Sequence, residues 1–484
     1  MKKRNLCWIR RDLRLSDHHA LYACLNDAKK NGKEVMIHFN FDPQILTKLP
    51  TNDRRLTFIV ESLLEIREIL SKQQSELIIS HGDPVACLED LVARYQIDRV
   101  FFNRDYEPYA KERDEKVIKK LAALNVEALT FKDSVVFEKH EVTTDKGEVY
   151  KVFTPYKNKW LQKFSEQFEK CEHYPTTLHS LLKKEDIAEN DLIQSESQLF
   201  LKLGFVKTDN VLKGGRSEAL KRFNDFKTIM EDYKRGRDYW QEDKTSFLSP
   251  YIRMGNLSIR EMMNATLDPD QNNEGAKTWQ SELIWREFYQ MILDVFPRVK
   301  STAFKLEYNN IPFSKDQALF QAWCEGKTGV PIVDSAMRCL NETGLMHNRL
   351  RMIVATFLTK TMLIDWRMGE AYFALKLLDF DLAANNGGWQ WCASTGVDAS
   401  PYFRIFNPFT QSEKFDPKAK FIRKYCPELK LFSDKIIHTP FDATPMEQMS
   451  ADCMIGVHYP YPVVHYREQK EKVIALFQAA KLET

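Results

Sequence analysis

The chain has 484 residues, of which 43% are apolar and 12% aromatic, and its 70 basic and 68 acidic residues give a net charge of +2. This excludes a disordered or fibrous chain, and the balanced charge excludes a uniformly basic nucleic-acid-binding protein, so contact with nucleic acid needs a local patch. The nine cysteines lack metal-ligand spacing, the N-terminus has no apolar signal region, and no apolar run reaches the roughly 18 residues of a membrane helix. We therefore expect a cytoplasmic protein with no metal site and no membrane partner.

Short apolar runs alternate with helical patterns along residues 1–132. The runs predict strands at Asn5–Ile9, Glu34–Asn40, Glu76–Ser80, Arg99–Asn103 and Glu127–Lys132. Between them, Arg55–Ser71 and Pro84–Tyr95 carry apolar residues at helical spacing. Because strands that alternate with helices pair in parallel, this order predicts an α/β domain with a doubly wound parallel sheet. It carries no GxGxxG motif.

The rest of the chain changes character twice. Residues 133–200 are polar and charged, which predicts an interdomain linker that is partly helical at best. Strand patterns nearly vanish after Leu201 and helical patterns dominate, so we expect an all-α domain over residues 201–484. The GKT at Gly326–Thr328 lacks the earlier glycine of a P-loop and is not interpreted as one.

Three polar groups in the helical part have both a structural and a functional interpretation. One set, which shares a face if it lies on a helix, is Trp279, Glu282, Trp285 and Arg286. In the structural interpretation the two indoles are in the core and Glu282 and Arg286 form an exposed ion pair. In the functional interpretation the four side chains form the wall of a ligand cavity. Asn348 and Met352 lie one helical turn apart. They are either a surface amide above a core methionine, which is the structural interpretation, or a pair of side chains that suits a base-like ligand, which is the functional one. The hydroxyls of Thr245–Ser249 suit either an N-cap or a phosphate group.

The segment from Asp379 to Trp391 is also rich in polar residues. A calcium loop starting at Asp379 is excluded, because alanines occupy positions that need a ligand and a glycine. We instead predict that Asp379 pairs with a cation such as Arg351, which leaves Asp381 and Asn385 for a heterocyclic ligand. Trp389 and Trp391 are two residues apart, so on a helix they point in nearly opposite directions.

Seven separated segments resemble the photolyase/cryptochrome family in order and spacing. They are WIRRDLR, YKVFTPYKNKW, TSFLSPYIRMGNLS, WQSELIWREFYQ, EGKTGVPIVDSAMR, MHNRLRM and DLAANNGGWQW. The resemblance extends over essentially the whole chain and is closest to class I cyclobutane pyrimidine dimer photolyases of bacterial type. It implies an α/β antenna domain, a linker and a helical domain that binds FAD, in a monomeric enzyme that acts on UV-damaged DNA.

The resemblance also implies which residues contact FAD. They are Tyr233, Thr245, Ser246, Leu248, Ser249, Trp279, Arg286, Arg351, Asp379, Phe380, Asp381 and Asn385. Asn385 is expected beside flavin N5. Phe247 occupies a position where relatives often carry arginine, so one contact to the pyrophosphate is expected to be missing.

The resemblance implies a light-driven reaction on a dimer flipped out of the DNA. Excited reduced FAD donates one electron, the dimer splits and the electron returns. The residues expected to meet DNA are Arg237, Glu282, Trp285, Asn348, Arg349, Met352, Trp391, Arg404 and Gln411. Among them, Glu282 and Asn348 are expected to hydrogen-bond the pyrimidines, and the arginines and Gln411 to contact phosphodiesters.

Two departures from the family pattern bear on function. Family photoreduction uses three tryptophans, of which Trp389 and Trp366 match the first two, but Phe313 occupies the third position. We therefore expect photoreduction to be slow or diverted to a tyrosine such as Tyr308. Folate-binding members carry an amide and a carboxylate after a Tyr-Glu pair, whereas Pro108, Tyr109 and Ala110 follow here. The antenna chromophore, methenyltetrahydrofolate or a deazaflavin, is left open, and FMN or no antenna remain alternatives.

Two other functions compete with repair. A cryptochrome-type blue-light photoreceptor would use the same scaffold, but Glu282, Met352 and Trp391 together, and a sequence that stops at Thr484 without a long signalling tail, favour dimer repair. A flavoprotein oxidoreductase that uses NAD(P)H is disfavoured because the dinucleotide fingerprint is missing.

Overall fold

The chain divides into two compact units. The structure, a computed structural model, describes residues 3–167, 170–192, 195–242, 244–267 and 273–482. Unit 1 comprises Met1–Val149, Tyr156–Met230 and Ser246–Val295, and unit 2 comprises Tyr150–Pro155, Glu231–Thr245 and Phe296–Thr484. Each unit therefore combines segments that are distant in sequence.

Unit 1 contains a five-stranded parallel sheet. Its strands are β1 (Arg4–Ile9), β2 (Glu34–Phe41), β3 (Leu77–His81), β4 (Ile97–Asn103) and β5 (Glu127–Phe131). The strand order is β3-β2-β1-β4-β5, with Asn5 opposite Val35 of β2 and Arg99 of β4. The order reverses direction beside β1, so the predicted doubly wound sheet is confirmed, and all five predicted strands lie within two residues of their observed bounds.

The helices of unit 1 surround this sheet or follow it in the chain. They are α1 (His19–Asn31), α2 (Pro43–Leu46), α3 (Arg54–Lys72), α4 (Pro84–Tyr95), α5 (Pro108–Ala123), α6 (Phe153–Gln167), α7 (Glu196–Leu203) and α8 (Arg216–Ile229). The start of α4 follows from local chemistry, since Asp83 accepts hydrogen bonds from Val85 and Ala86 N–H and Pro84 needs no N–H partner. The first residues of α6 belong to unit 2.

A buried carboxylate positions the longest helix of unit 1. Three more helices, α9 (Tyr233–Gly236, in unit 2), α10 (Ser249–Met254) and α11 (Ile259–Asn264), precede α12 (Glu274–Val295). Glu287 of α12 is fully buried and accepts from the backbone N–H of Val136 and Phe137 and from Trp160 Nε1. Burial raises the pKa of Glu287 to about 7, although the three donors oppose the shift.

Unit 2 is helical apart from isolated bridges. Its further helices are α13 (Gln317–Glu325), α14 (Pro331–Thr343), α15 (Asn348–Thr356), α16 (Trp366–Lys376), α17 (Leu382–Cys392), α18 (Pro408–Phe415), α19 (Lys420–Tyr425), α20 (Pro445–Ser450) and α21 (Tyr466–Leu482). A π-helical segment, Phe357–Thr361, continues α15. Its core contains Trp323, Trp366 and Trp389, each at most 2% exposed. The predicted helical C-terminal part is confirmed, and no helix in the described ranges is long and apolar enough to cross a membrane.

Candidate functional site

Arg351 and Asp379 form an ion pair in unit 2. The Arg351 guanidinium donates through Nη2 to Asp379 Oδ2 at 2.7 Å and through Nε to the Met346 carbonyl at 2.8 Å. The predicted pairing of the two residues is confirmed. Asp379 is 7% exposed, and its other oxygen, Oδ1, is buried without a hydrogen-bond partner among the described residues. Because leaving a buried acceptor unsatisfied costs free energy, Oδ1 is suited to an N–H or O–H donor of a ligand.

Asp381 and Asn385, at the start of α17, already make contacts within the chain. The Asp381 side chain caps α17 by accepting from Ala384 N–H at 3.1 Å. The Asn385 amide nitrogen donates to the carbonyl oxygen and to Oε1 of Glu370, both at 3.1 Å. Because the amide N–H groups are used, the Asn385 oxygen is the atom available to a ligand. Burial raises the pKa of Glu370 to about 7, and the bond from Asn385 opposes the shift.

Trp366 and Trp389 are both in the core of unit 2. They are 1% and 2% exposed, and their indole N–H groups have no hydrogen-bond partner among the described residues. Gly369 of α16 makes room for Trp389, since a Cβ at Gly369 would lie 2.1 Å from Trp389 Cη2. Phe380 packs against the same core and is half-buried.

Asn348 and Met352 lie on one face of α15, as their spacing predicts. The Asn348 amide nitrogen lies 3.9 Å from Met352 Sδ. Asn348, the first residue of α15, is exposed, and Met352 is half-buried against the core. The amide and the thioether are therefore adjacent and accessible together.

Arg349 and Gln411, both predicted to meet DNA, are in contact. Arg349 Nη1 donates to Gln411 Oε1 at 3.2 Å, and Nη2 donates to Asp238 Oδ1 at 2.5 Å. Its guanidinium also lies 4.2 Å from the centre of the Phe415 ring. Burial lowers the pKa of nearby His347 to about 4, and Arg349 is the next largest cause of the shift. Arg351 and Arg237 also lower the pKa of His347, and Asp238 opposes them.

A buried lysine supports the loop after α17. Lys360, in the π-helical segment, is 1% exposed, and its Nζ donates to the Arg404 carbonyl at 3.1 Å and lies 3.4 Å from Ser400 Oγ. The Ser400 N–H in turn donates to the Trp391 carbonyl at 3.3 Å. Burial lowers the pKa of Lys360 to about 8. The predicted DNA residues Trp391, which is half-buried, and Arg404, which is exposed, are therefore connected through one loop.

The short segment Glu231–Thr245 of unit 2 carries three more predicted residues. Tyr233 is the first residue of α9, and the guanidinium carbon of Arg237 lies 5.8 Å from the centre of its ring. Thr245 is half-buried. Gly236 contributes by its size, since a Cβ there would lie 2.5 Å from the Cβ of Lys244.

Helix α12 of unit 1 carries four predicted residues, and the predicted helix is confirmed. Trp279 is 3% exposed and its ring centre lies 5.0 Å from that of Phe226, so this indole belongs to the core of unit 1. Arg286 Nη1 donates to the Ser134 carbonyl at 2.6 Å. Glu282, Trp285 and Arg286 are all half-buried, so three of the four side chains are partly accessible.

The turn Ser246–Ser249 of unit 1 has an unusual backbone. Phe247 has φ of 49°, in the left-handed region that a bulky side chain rarely adopts. Leu248 is buried, Ser249 is the exposed first residue of α10, and Ser246 Oγ accepts from Leu248 N–H at 3.4 Å. The guanidinium carbon of Arg222 lies 5.7 Å from the centre of the Phe247 ring. An arginine thus lies beside the position where the resemblance leads us to expect one.

The sequence patterns did not reveal several residues of these regions. Glu370, Gly369, Lys360 and Asp238 are outside every predicted set, although each contacts a member of one. The one available signal was Lys360, a charge within the apolar run from Ile353 to Ile364. Among the described residues, no group of three or more His, Cys, Asp or Glu side chains could hold a metal ion.

Comparison with known proteins gives two family matches. Residues 5–175 match the DNA photolyase family model, and residues 279–479 match the model of the FAD binding domain of DNA photolyase. A deoxyribodipyrimidine photo-lyase of Vibrio cholerae is 37% identical over 98% of this chain and 99% of its own length. The structure is similar to a class III photolyase from Agrobacterium tumefaciens, with a TM-score of 0.88 and 32% identity over 100% of this chain and 98% of the other. It is also similar to a cryptochrome of Synechocystis, with a TM-score of 0.86 and 27% identity over 98% of this chain and 99% of the other.

Proposed function

The chain belongs to the DNA photolyase family, and we propose that it binds FAD and repairs cyclobutane pyrimidine dimers in UV-damaged DNA under blue light. The observation that carries the proposal is the similarity to a deoxyribodipyrimidine photo-lyase along 98% of the chain. The adjacent, accessible Asn348 and Met352 support a pyrimidine dimer as the substrate. The Asn348 amide can both donate and accept hydrogen bonds at the edge of a pyrimidine, and the Met352 thioether can pack against its ring. The cryptochrome alternative is tested by the same experiment.

The chemistry of unit 2 fits FAD. Asp379 Oδ1 is a buried acceptor without a partner among the described residues, and the Asn385 oxygen is available because Glu370 holds its nitrogen. Together with Arg351, these residues would hold and orient the cofactor. The further contacts proposed are Tyr233, Thr245, Ser246, Leu248, Ser249, Trp279, Arg286, Phe380 and Asp381. When bound and reduced, FAD supplies the electron that opens the dimer in light and takes it back afterwards.

For DNA, we propose that a damaged site is flipped out of the duplex, which is easier for a poorly paired base. Asn348 would hydrogen-bond a pyrimidine, and Met352 and Trp391 would pack against the dimer. The resemblance assigns a hydrogen bond to Glu282 and a packing contact to Trp285. Arg237, Arg349, Arg404 and Gln411 would bind phosphodiesters, and the contact between Arg349 and Gln411 and the exposure of Arg404 support this.

For the antenna, we propose a second chromophore, with methenyltetrahydrofolate and a deazaflavin as the two candidates. Arg11 Nη1 binds Glu107 Oε1 at 2.7 Å and Arg253 Nη2 binds the same oxygen at 3.2 Å, so the Glu107 carboxylate is already paired. Tyr109, two residues later, donates its hydroxyl hydrogen to Asp42. Neither contact is specific for one chromophore, and the absorption spectrum of the released chromophore decides between the two candidates.

We further propose a monomer in the cytoplasm. All nine cysteines are free, and eight of them are buried, which agrees with a reducing compartment and disfavours links between copies. Light scattering on the purified protein at micromolar concentration tests the monomer, and a dimer mass would contradict it.

The decisive experiment is anaerobic repair of an oligonucleotide that contains one cis-syn thymine dimer, with chemically reduced protein and a dark control. We expect intact thymines to reappear only under blue light. Asn348→Ala should slow repair, while Gln321→Ala, which removes an exposed amide on α13, should not. If reduced, FAD-loaded protein repairs nothing, the photoreceptor becomes the better interpretation.

A further inference from the structure

The tryptophans expected to carry charge end in the core of unit 2. Trp366 is 1% exposed, and Phe313 occupies the position expected for a third tryptophan. Phe313 packs, half-buried, against two core clusters of unit 2, and its ring is much harder to oxidise than an indole. An oxidised Trp366 would thus have no third tryptophan at the expected position from which to take an electron.

Trp389 has an indole neighbour on another helix. The ring centres of Trp389 and Trp323 are 5.9 Å apart, with the planes at 70°. Trp323, on α13, is fully buried, and its indole N–H donates to the Val354 carbonyl at 3.1 Å. A carbonyl is a poor base, so an oxidised Trp323 would retain its proton and stay reactive toward the next donor.

That next donor is Tyr372 on α16. Its ring centre lies 5.8 Å from that of Trp323. Tyr372 is half-buried, so it links the buried indoles to the surface of unit 2. Its hydroxyl donates to Asn341 Oδ1 at 2.6 Å and also lies 3.1 Å from the Cys324 carbonyl. Three oxidisable rings, Trp389, Trp323 and Tyr372, therefore form a continuous series of ring contacts.

We propose that Trp323 and Tyr372 form a side branch that returns an electron to Trp389 when the bound flavin is photoreduced. This inference rests on the proposed binding of FAD. In light, Trp389 gives one electron to the flavin, Trp323 gives one electron to oxidised Trp389, and Tyr372 gives one electron to oxidised Trp323. An oxidised phenol is a far stronger acid than an oxidised indole, so Tyr372 loses its phenolic proton to solvent by way of its hydrogen bond to the half-buried Asn341 and becomes a neutral radical. An external thiol then returns one electron and one proton to it.

The protonation state of Tyr372 agrees with a neutral tyrosyl radical as the end point of the branch. Burial raises the pKa of Tyr372 to about 12, so the phenol holds its proton at neutral pH until it is oxidised. Loss of the proton then traps the oxidised site, because a neutral tyrosyl radical does not readily take the electron back from Trp323. The branch thus replaces a missing terminal indole by a half-buried phenol.

The test uses FAD-loaded protein in its oxidised form, with dithiothreitol and blue light. We expect freeze-quenched wild-type protein to give a tyrosyl radical signal in electron paramagnetic resonance, which changes on labelling with deuterated tyrosine. Tyr372→Phe should abolish that signal and slow photoreduction roughly tenfold, about 1.4 kcal/mol in the barrier. Trp323→Phe should do the same, and Tyr372→Phe preserves the argument if the Trp323 variant does not fold.

Two tyrosines provide comparisons. Tyr425→Phe is the matched control, since the ring of Tyr425 contacts Phe421 at 4.8 Å, and it should leave both readouts unchanged. Tyr308→Phe tests the other exit. If Tyr308→Phe abolishes the radical and Tyr372→Phe does not, the branch is overturned. Repair by chemically reduced wild-type protein tests the proposed function separately, because it needs no photoreduction.

Discussion

Two regions of the molecule combine arginines with buried aspartates, and they differ in whether every acceptor has a partner. In unit 1, Asp133 accepts from Arg14 at 2.7 and 2.9 Å and from Arg260 at 2.8 Å, so both of its oxygens are bonded. In unit 2, Arg351 bonds one oxygen of Asp379 and leaves the other without a partner among the described residues. The same pair of residue types thus serves packing in one place and a ligand in the other.

The difference teaches how to separate a structural ion pair from a binding site. A buried charge is tolerated when its hydrogen bonds are complete, and the carbonyls of Asp17 and Gly255 complete those of Arg14. An incomplete set is costly in the free chain and is relieved when a ligand supplies the missing donor. The proposed role of Asp379 follows from this contrast and not from its charge alone.

The largest expected effect is on the complete network. Asp133→Asn leaves Arg14 and Arg260 without a full counter-charge, so the free energy of unfolding should fall by about 3 kcal/mol. Chemical denaturation measures it, with Asp316→Asn as control, because Asp316 is an exposed N-cap and asparagine caps equally well. A loss no larger than that of the control would contradict the network's role.

The same variant has a pH signature. Burial alone would raise the pKa of Asp133, but Arg14 and Arg260 outweigh it and lower the pKa below the ordinary value. The stabilisation is therefore complete above the unfolded pKa of about 4 and is lost as pH falls through the lowered folded pKa. The stability difference between the wild type and Asp133→Asn should thus shrink in acid.

The second effect concerns the incomplete pair. Asp379→Asn keeps an acceptor but removes its charge, so FAD should bind roughly tenfold more weakly, about 1.4 kcal/mol, while the apoprotein loses less stability than Asp133→Asn does. Fluorescence titration of apoprotein with FAD measures the affinity, again beside Asp316→Asn. If the variants at Asp133 and Asp379 lost equal stability and FAD affinity were unchanged, Asp379 would be a structural residue like Asp133 and its proposed role in FAD binding would be contradicted.

The sequence predicted what local chemistry determines. Parallel strands buried on both faces, such as β1 and β2, are largely apolar runs, and the alternation with helices located the half-buried β5 as well, so all five were found within two residues. Asp379 with Arg351 was predictable because a charge in an apolar stretch needs a counter-charge. The contact of Glu370 with Asn385 and that of Trp323 with Trp389 were not, because each joins two helices whose packing no local pattern encodes.

A smaller effect should appear at Glu370. Burial raises its folded pKa to about 7, above the unfolded value, so its contribution to stability is complete below pH of about 4.5 and is lost as pH rises through 7. Glu370→Gln keeps an acceptor for Asn385 and cannot ionise. The loss of unfolding free energy between pH 5 and pH 8 should therefore be smaller in the variant by about 1 kcal/mol, allowing for partial exposure. An unchanged pH dependence would mean that Glu370 is not neutral in the fold.

The smallest effects separate two arginines proposed to meet phosphate. Arg404 is exposed, whereas Arg349 is bonded to Asp238 at 2.5 Å and to Gln411 at 3.2 Å. Arg404→Gln should reduce the slope of log affinity against log salt for dimer-containing duplex by roughly 0.9, one phosphate contact. Arg349→Gln should reduce it less, because Asp238 already neutralises part of the charge that displaces counterions. Binding titrations over a range of salt concentrations measure both slopes. Equal reductions of the two slopes would mean that the ion pair between Arg349 and Asp238 breaks when DNA binds, so that Arg349 contacts phosphate with its full charge.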